Sequence, residues 1–173
     1  MRHTSLTLVL PAILLAGCGD STGTSGAILL RDNCDPATFN AALGAGTCQR
    51  STIIHGLPLD AFTDTLQTRR TVGAWTIAPI TISLKKGTTA VLWNTGGETH
   101  SYTEVQEFGG GVVARWNELS GNTAVAPECA DSIAARGSTL HAGEVRLHVF
   151  DQTGTRKYQC CFHPWMRQTV TIY

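Results

Sequence analysis

Short segments in which apolar and polar residues alternate follow one another from residue 75 to the C-terminus. Their period of two, and their content of Val, Ile, Thr and Trp, are typical of half-buried β-strands. Turns such as Lys-Lys-Gly at 85–87 separate them. The segments are 75–77, 80–84, 88–93, 102–105, 145–150 and 169–173. Many short strands joined in this way predict an all-β protein, a β-sandwich of the Greek-key type.

The segment before these strands, residues 31–72, has a mixed pattern that predicts a small N-terminal appendage. Asp35 followed by proline is a good helix start, because aspartate caps a helix N-terminus and proline suits its first turn. Cys34 and Cys48 bracket this short helix, and a disulfide between them would stabilise a unit that has few apolar residues. The alternative is that both cysteines are free or have other partners.

Residues 108–137 interrupt the strand pattern with an irregular stretch. It opens with Phe-Gly-Gly-Gly and contains Pro-Glu-Cys at 127–129. We predict that this stretch is an insertion in a sandwich domain that spans residues 73–173.

The charge balance bears on the class of partner. The chain of 173 residues has 13 basic and 13 acidic side chains, and no run of lysine or arginine exceeds two. A nucleic-acid partner would require a basic patch, so no nucleic acid is expected. With 18 glycines and 15% charged residues, the composition fits a turn-rich β protein better than a helical bundle.

The first residues combine a basic start with an apolar run at 6–15 that is too short to span a membrane. The run ends in Leu-Ala-Gly before Cys18, which looks like the lipobox of bacterial lipoproteins. In that case residues 1–17 are a signal peptide, and residues 18–30 are the lipidated cysteine and a flexible tether. An ordinary secretory signal with an accidental cysteine is the alternative. We expect a membrane-anchored protein on the periplasmic or extracytoplasmic face, where disulfides persist.

Near the C-terminus, Cys160, His163 and Met166 form a Cys-x-x-His-x-x-Met pattern. A thiolate, an imidazole and a thioether are soft ligands, which select copper over calcium or magnesium. A blue-copper site also needs a second histidine. His100 is the best candidate, because it follows a strand and a glycine-rich turn that contains Asn94. Taken alone, His100 would be an ordinary turn histidine and Met166 a core residue. Together with Cys160 and His163 they indicate a site for one copper ion.

The stretch YQCCFHPWMR, from Tyr158 to Arg167, resembles the C-terminal ligand loop of amicyanin-like blue copper proteins, with their Tyr-x-Cys-x-x-His-Pro-x-Met-Arg frame. Residues 87–100 are similar to the strand, Asn and His region of the same plastocyanin-like family. The resemblance covers 75–173 and implies a cupredoxin sandwich. The copper ligands that it implies are His100, Cys160, His163 and Met166. The electron-transfer surface that it implies has His163 as the electron port, with Phe162, Pro164 and Trp165 as an apolar docking rim.

Two adjacent cysteines in this loop need separate roles. The family frame assigns Cys160 to copper, and Cys161 should face away from it, because neighbours on an extended segment point to opposite sides. With one cysteine lipidated, the simplest pairing joins Cys34 to Cys48 and Cys129 to Cys161. Two crossed pairings, and a buried free thiol at Cys161, stay open.

The resemblance implies a one-electron carrier that exchanges electrons with redox proteins in transient complexes while its lipid holds it on a membrane. A copper-handling lipoprotein with the same ligands is the alternative. An enzyme would need a second copper site with its own histidines, and none is expected, because the remaining histidines are scattered. These are His55, His141 and His148. An interaction module with an incidental copper site is disfavoured by the complete ligand set.

Overall fold

The computed structural model describes residues 26–51, 55–130 and 137–173. This part of the chain folds into ten strands and four short helices. The strands are β1 (Ala27–Arg31), β2 (Thr76–Ala78), β3 (Thr81–Leu84), β4 (Thr88–Asn94), β5 (His100–Ser101), β6 (Thr103–Val105), β7 (Thr139–Leu140), β8 (Val145–Phe150), β9 (Gly154–Gln159) and β10 (Arg167–Ile172). The helices are α1 (Pro36–Leu43), α2 (Leu59–Arg69), α3 (Ala114–Ser120) and α4 (Pro127–Ala130).

Eight of these strands form two sheets that share one core. The first sheet has the order β2-β1-β4-β8 and the second has the order β3-β10-β9-β6, while β5 and β7 form a separate short ladder. The pairs β1–β4 and β3–β10 are parallel, and the other pairs are antiparallel. Side chains from both sheets meet in the core, among them Leu30, Ala90, Leu92, Phe150, Tyr158, Val170 and Ile172. The predicted cupredoxin-like Greek-key β-sandwich, with a stapled N-terminal appendage, is therefore confirmed.

Strand β1 corrects the predicted domain boundaries. The sequence predicts a flexible tether over residues 18–30 and a sandwich that begins at 73. Instead, Ala27–Arg31 lies in the first sheet between β2 and β4. Ile28 and Leu30 are completely buried, so this short run lies in the core.

The N-terminal appendage contains α1, α2 and a disulfide. The predicted helix start is confirmed, because the Asp35 carboxylate accepts a hydrogen bond from the Thr38 amide at 3.0 Å and proline occupies the first turn. Helix α2 was not predicted. Phe39 and Phe62, one from each helix, pack on Trp75 with ring centroids 5.9 and 4.6 Å away. These aromatic contacts join the appendage to the sandwich core.

The insertion at 108–137 contains α3 and α4 and lies directly against the ligand loop. The Val112 amide donates to the Cys161 carbonyl at 2.8 Å, and a disulfide joins Cys129 to Cys161. A Cβ atom on Gly111 would lie 1.9 Å from that carbonyl oxygen. Only glycine therefore allows the two backbones to approach so closely.

The predicted signal peptide at 1–17 and the lipidation site Cys18 lie outside the described residues. None of the helices in residues 26–51, 55–130 and 137–173 is both long and apolar enough to cross a membrane.

Candidate metal centre

The first candidate ligand, His100, follows a tight turn at the end of β4. The turn is built around the fully buried side chain of Asn94. Its amide nitrogen donates to the carbonyls of Glu98 and Leu140 at 2.8 and 3.0 Å, and its oxygen accepts from the Gly96 amide at 2.9 Å. Because these bonds satisfy the buried backbone of the turn, His100 enters the core at a defined position.

The second group of candidate ligands lies on the loop between β9 and β10. The Cys160 amide donates to the Met166 carbonyl at 3.0 Å, and the Met166 amide donates to the His163 carbonyl at 2.9 Å. These two bonds close the Cys-x-x-His-x-x-Met segment into a compact loop. Met166 is 1% exposed and belongs to the main core.

Three donor atoms from the two segments converge. Cys160 Sγ lies 3.8 Å from His100 Nδ1 and 3.7 Å from His163 Nδ1, and all three atoms lie within 4.8 Å of one another. Imidazole nitrogen and thiolate sulfur bind a first-row ion such as zinc at about 2.0–2.3 Å, so two ligands of one ion are roughly 3.5–4 Å apart. All three residues are buried. The spacing fits a metal ion.

The surroundings of Cys160 favour its thiolate form, which is the form that binds a metal. In the described part of the chain it is the one cysteine outside a disulfide, and it is completely buried. Burial alone would raise the pKa of its thiol, but the imidazoles of His100 and His163 hold that pKa well below its usual value. The Ser101 amide also donates to Cys160 Sγ at 3.3 Å, which favours the anion further.

The disulfides in the structure are Cys34–Cys48 and Cys129–Cys161, which are the pairs of the simplest pairing. Cys161 faces a second, smaller cluster with Val105, whereas Cys160 faces the main core. The two neighbouring cysteines therefore point to opposite sides of the loop.

The buried carboxylate of Asp32 lies behind His100. His100 Nε2 donates to Asp32 Oδ2 at 2.9 Å, and neither side chain has any exposed surface. Burial acts to raise the pKa of Asp32, but the bond to His100 and the amides of Gly97 and Glu98 keep that pKa well below its usual range. Asp32 is thus an anion in the core, paired with one candidate ligand.

A second carboxylate lies behind His163. Glu98 Oε2 is 3.5 Å from His163 Nε2 and accepts a 2.6 Å hydrogen bond from the indole of Trp75. Burial acts to lower the pKa of His163, but the charges of Glu98 and Cys160 outweigh it and raise that pKa to about 10.

Ser101 connects the two ligand segments. Its hydroxyl accepts a hydrogen bond from the Cys161 amide at 2.8 Å, while its own amide donates to Cys160 Sγ. These bonds fix the distance between the segments that carry His100 and His163.

The predicted electron-transfer surface, Phe162 to Trp165, is largely covered in the structure. His163 is only 3% exposed, Pro164 is buried, and Phe162 and Trp165 are partly buried. The cover comes from the appendage and the insertion, which both extend over this end of the sandwich. They leave a recess of about 400 Å³ next to His163, which we call the His163 recess. Its lining includes Leu43, Thr47, Glu98, Val113, Trp116 and Phe162.

Comparison with known proteins gives structural similarity only. No family model matches the chain, and neither does any curated protein. Among solved structures, a purple cupredoxin from Nitrosopumilus maritimus is 17% identical with a TM-score of 0.43, over 86% of this chain and 99% of that one. A Cu(I) amicyanin variant is 18% identical with a TM-score of 0.38, over 57% of this chain and 73% of that one. A reduced amicyanin variant is 21% identical with a TM-score of 0.34, over 54% and 70%.

Similarity at this level says nothing about the metal or the partner of this chain, so both have to follow from its own residues.

The sequence analysis did not identify Asp32 and Glu98, the two carboxylates behind the histidines. Glu98 carries a weak signal, since it lies two residues before His100 in the ligand turn. Asp32 carries none, because 68 positions separate it from the histidine that it contacts.

Proposed function

We propose that the protein binds one copper ion through His100, Cys160 and His163, with Met166 as a weak fourth ligand, and that it transfers single electrons. The observation that supports this most strongly is the convergence of one thiolate and two imidazole nitrogens within 4.8 Å in a buried site. A His₂Cys set with a nearby methionine is the donor set of blue-copper sites.

When bound, copper supplies a one-electron couple between its two oxidation states. The residues of the chain supply a binding site that changes little between those states. The hydrogen bonds between Cys160, His163 and Met166 close the loop, and Ser101 joins it to the His100 segment. Burial of all three donors keeps water away from the site. Both features reduce the rearrangement that accompanies electron transfer.

We also propose that the protein works outside the cytoplasm, anchored by a lipid on Cys18, and exchanges electrons with other redox proteins. Two disulfides in the structure support an oxidising compartment. Mass spectrometry of the membrane-extracted protein tests the anchor: it should begin at Cys18 and carry acyl chains. A mature protein that retains residues 1–17, or an unmodified Cys18, would exclude the anchor.

Loading with Cu(II) tests the site itself. The parent protein should show an intense thiolate-to-copper absorption band, and Cys160→Ser should abolish it. His100→Gln should weaken or shift the band, whereas His141→Gln, in an exposed turn, should leave it unchanged and is the matched control. A pale parent spectrum, or one that Cys160→Ser does not alter, would exclude the ligand assignment.

Exchange of the metal separates an electron carrier from a copper-handling lipoprotein. With His163 only 3% exposed, copper should leave the folded protein slowly compared with electron exchange. Release of Cu(I) to a chelator within seconds, together with slow electron exchange, would favour copper handling instead.

A further inference from the structure

The carboxylate of Asp32 is the best-coordinated anion of the described chain, and every group that it binds belongs to the site or its support. Oδ1 accepts from the Cys34 amide at 3.1 Å and from the Gly97 amide at 3.0 Å. Oδ2 accepts from the Glu98 amide at 2.9 Å and from His100 Nε2 at 2.9 Å. Its two oxygens thus receive four donors, which is the full capacity of an ionised carboxylate.

This bond decides which nitrogen of His100 can bind a metal. A carboxylate with its other positions filled only accepts, so His100 Nε2 must carry the proton. Nδ1 is then the nitrogen that a metal can use, and it is the atom that faces Cys160 Sγ at 3.8 Å. The hydrogen bond therefore orients the ring so that Nδ1, and not Nε2, is directed at the candidate metal position.

The N-terminal segment is built to bring Asp32 to this position. A Cβ atom on Gly96 would lie 1.9 Å from Asp32 Oδ2, and one on Gly97 would lie 2.8 Å from Cys34 Sγ. The Gln49 amide donates to the Gly97 carbonyl at 2.8 Å. Glycines in the ligand turn thus admit the segment that the Cys34–Cys48 disulfide holds in place.

We propose that Asp32 is a positioning residue of the copper site, which fixes His100 as a ligand and lowers the reduction potential of the bound copper. The inference rests on the proposed function and adds to it a role for the N-terminal segment. The potential should fall because the buried carboxylate, hydrogen-bonded to His100 Nε2, places a negative charge near the metal. That charge favours the oxidation state of copper with the higher positive charge. His163 has a looser partner, since Glu98 lies 3.5 Å from its Nε2.

Asp32→Asn tests the effect on the potential, with Asp35→Asn as the matched control. The control makes the same substitution three residues away, at a partly exposed helix cap where Asn functions as well as Asp. We expect voltammetry of copper-loaded Asp32→Asn to give a higher potential than the parent. A tenfold loss of preference for Cu(II) over Cu(I) corresponds to about 59 mV. Asp35→Asn should keep the parent potential.

Nitrogen-15 NMR of the unaltered, Cu(I)-loaded protein provides a second measurement that does not depend on the variant folding. We expect His100 to carry a proton on Nε2 that exchanges slowly with water, because it is hydrogen-bonded to the Asp32 carboxylate. An unchanged potential in folded Asp32→Asn, or a rapidly exchanging Nε2 proton in the parent, would overturn the inference while leaving the copper site intact. Failure of the parent to bind copper at all would overturn the proposed function and this inference together.

Discussion

The carboxylate of Glu98 lies 3.5 Å from His163 Nε2 and is held there by the indole of Trp75, which donates to the same oxygen at 2.6 Å. The side chains of Glu98 and His163 are 7% and 4% exposed, so water screens this contact little. A candidate metal ligand therefore has a fixed negative charge on its outer side.

Glu98→Gln should raise the reduction potential of the copper-loaded protein. The amide keeps an acceptor for the Trp75 indole but removes the charge next to His163. Because the contact to His163 is longer than the 2.9 Å contact between Asp32 and His100, the shift should be smaller than that of Asp32→Asn. Voltammetry of the two variants side by side measures the difference.

Glu118→Gln is the control for this prediction, since it makes the same change at an exposed position of α3. Equal shifts in Glu98→Gln and Glu118→Gln would mean that net charge alone changes the potential, and the contact with His163 would then have no specific effect.

The two disulfides should differ in their contribution to stability. The loops that they close span 32 residues for Cys129–Cys161 and 14 residues for Cys34–Cys48. By the loop-entropy relation, the disulfide that closes the longer loop stabilises the folded protein by about 0.7 kcal/mol more than the other. The typical contribution of one disulfide is roughly 2–4 kcal/mol. Replacing both cysteines of a pair by serine should therefore lower the free energy of unfolding more for Cys129–Cys161. Denaturant unfolding measures both values.

Neither double variant should abolish copper binding, because Cys161 faces away from Cys160. Loss of the absorption band in the Cys129 and Cys161 double variant, in protein that is still folded, would contradict the placement of the two cysteines.

The sequence was most informative where the relevant residues are neighbours in the chain. The Cys160 to Met166 loop is contiguous, and its spacing alone brings a thiol, an imidazole and a thioether together. The Asp35 cap is likewise a local signal. Strand β1 had no such signal, because a short apolar run after a polar stretch also fits a tether. Its place in the sheet depends on β4, which pairs with it from about sixty positions away.

The same reasoning applies to the segments that cover the predicted electron-transfer surface. Phe162, Pro164 and Trp165 are apolar, and the sequence alone does not show which segments pack over them. The cover over them comes from α1, α2 and the insertion, whose positions depend on Cys129, Gly111 and the aromatic contacts of Phe62. Contacts between distant segments leave no periodic pattern in a sequence.

The His163 recess should be the route by which small reductants reach the site. Leu43 lines it from the end of α1 and is 40% exposed, so it tolerates a larger side chain. Leu43→Trp should slow the reduction of the Cu(II) protein by a small reductant such as ascorbate by several-fold, measured by stopped-flow bleaching of the absorption band. Val149→Trp is the control, because Val149 is 55% exposed and pairs with Thr89 at the start of β4, whereas the ligand turn follows the end of that strand. Equal rates in parent and Leu43→Trp would mean that electrons enter elsewhere.

Stability should fall in acid partly because of His148. Its ring is half-buried against Tyr102 and Phe150, with centroids 5.4 and 4.6 Å away. Burial lowers the pKa of His148 below its ordinary value of 6.5, and the charges of Glu104 and Asp151 oppose that shift only in part. The folded protein therefore binds this proton less readily than the unfolded chain. The associated stability is fully present above pH 6.5 and is lost as the pH falls from 6.5 through the folded pKa.

His148→Leu removes the titratable imidazole and places an apolar side chain against the two rings. Below pH 6.5, its free energy of unfolding should decline less steeply than that of the parent, as measured by urea unfolding at a series of pH values on copper-free protein. His141→Leu, at an exposed turn, should follow the parent curve. If His148→Leu and the parent lose stability in parallel from pH 6.5 downward, another group dominates the acid response and the burial of His148 does not explain it.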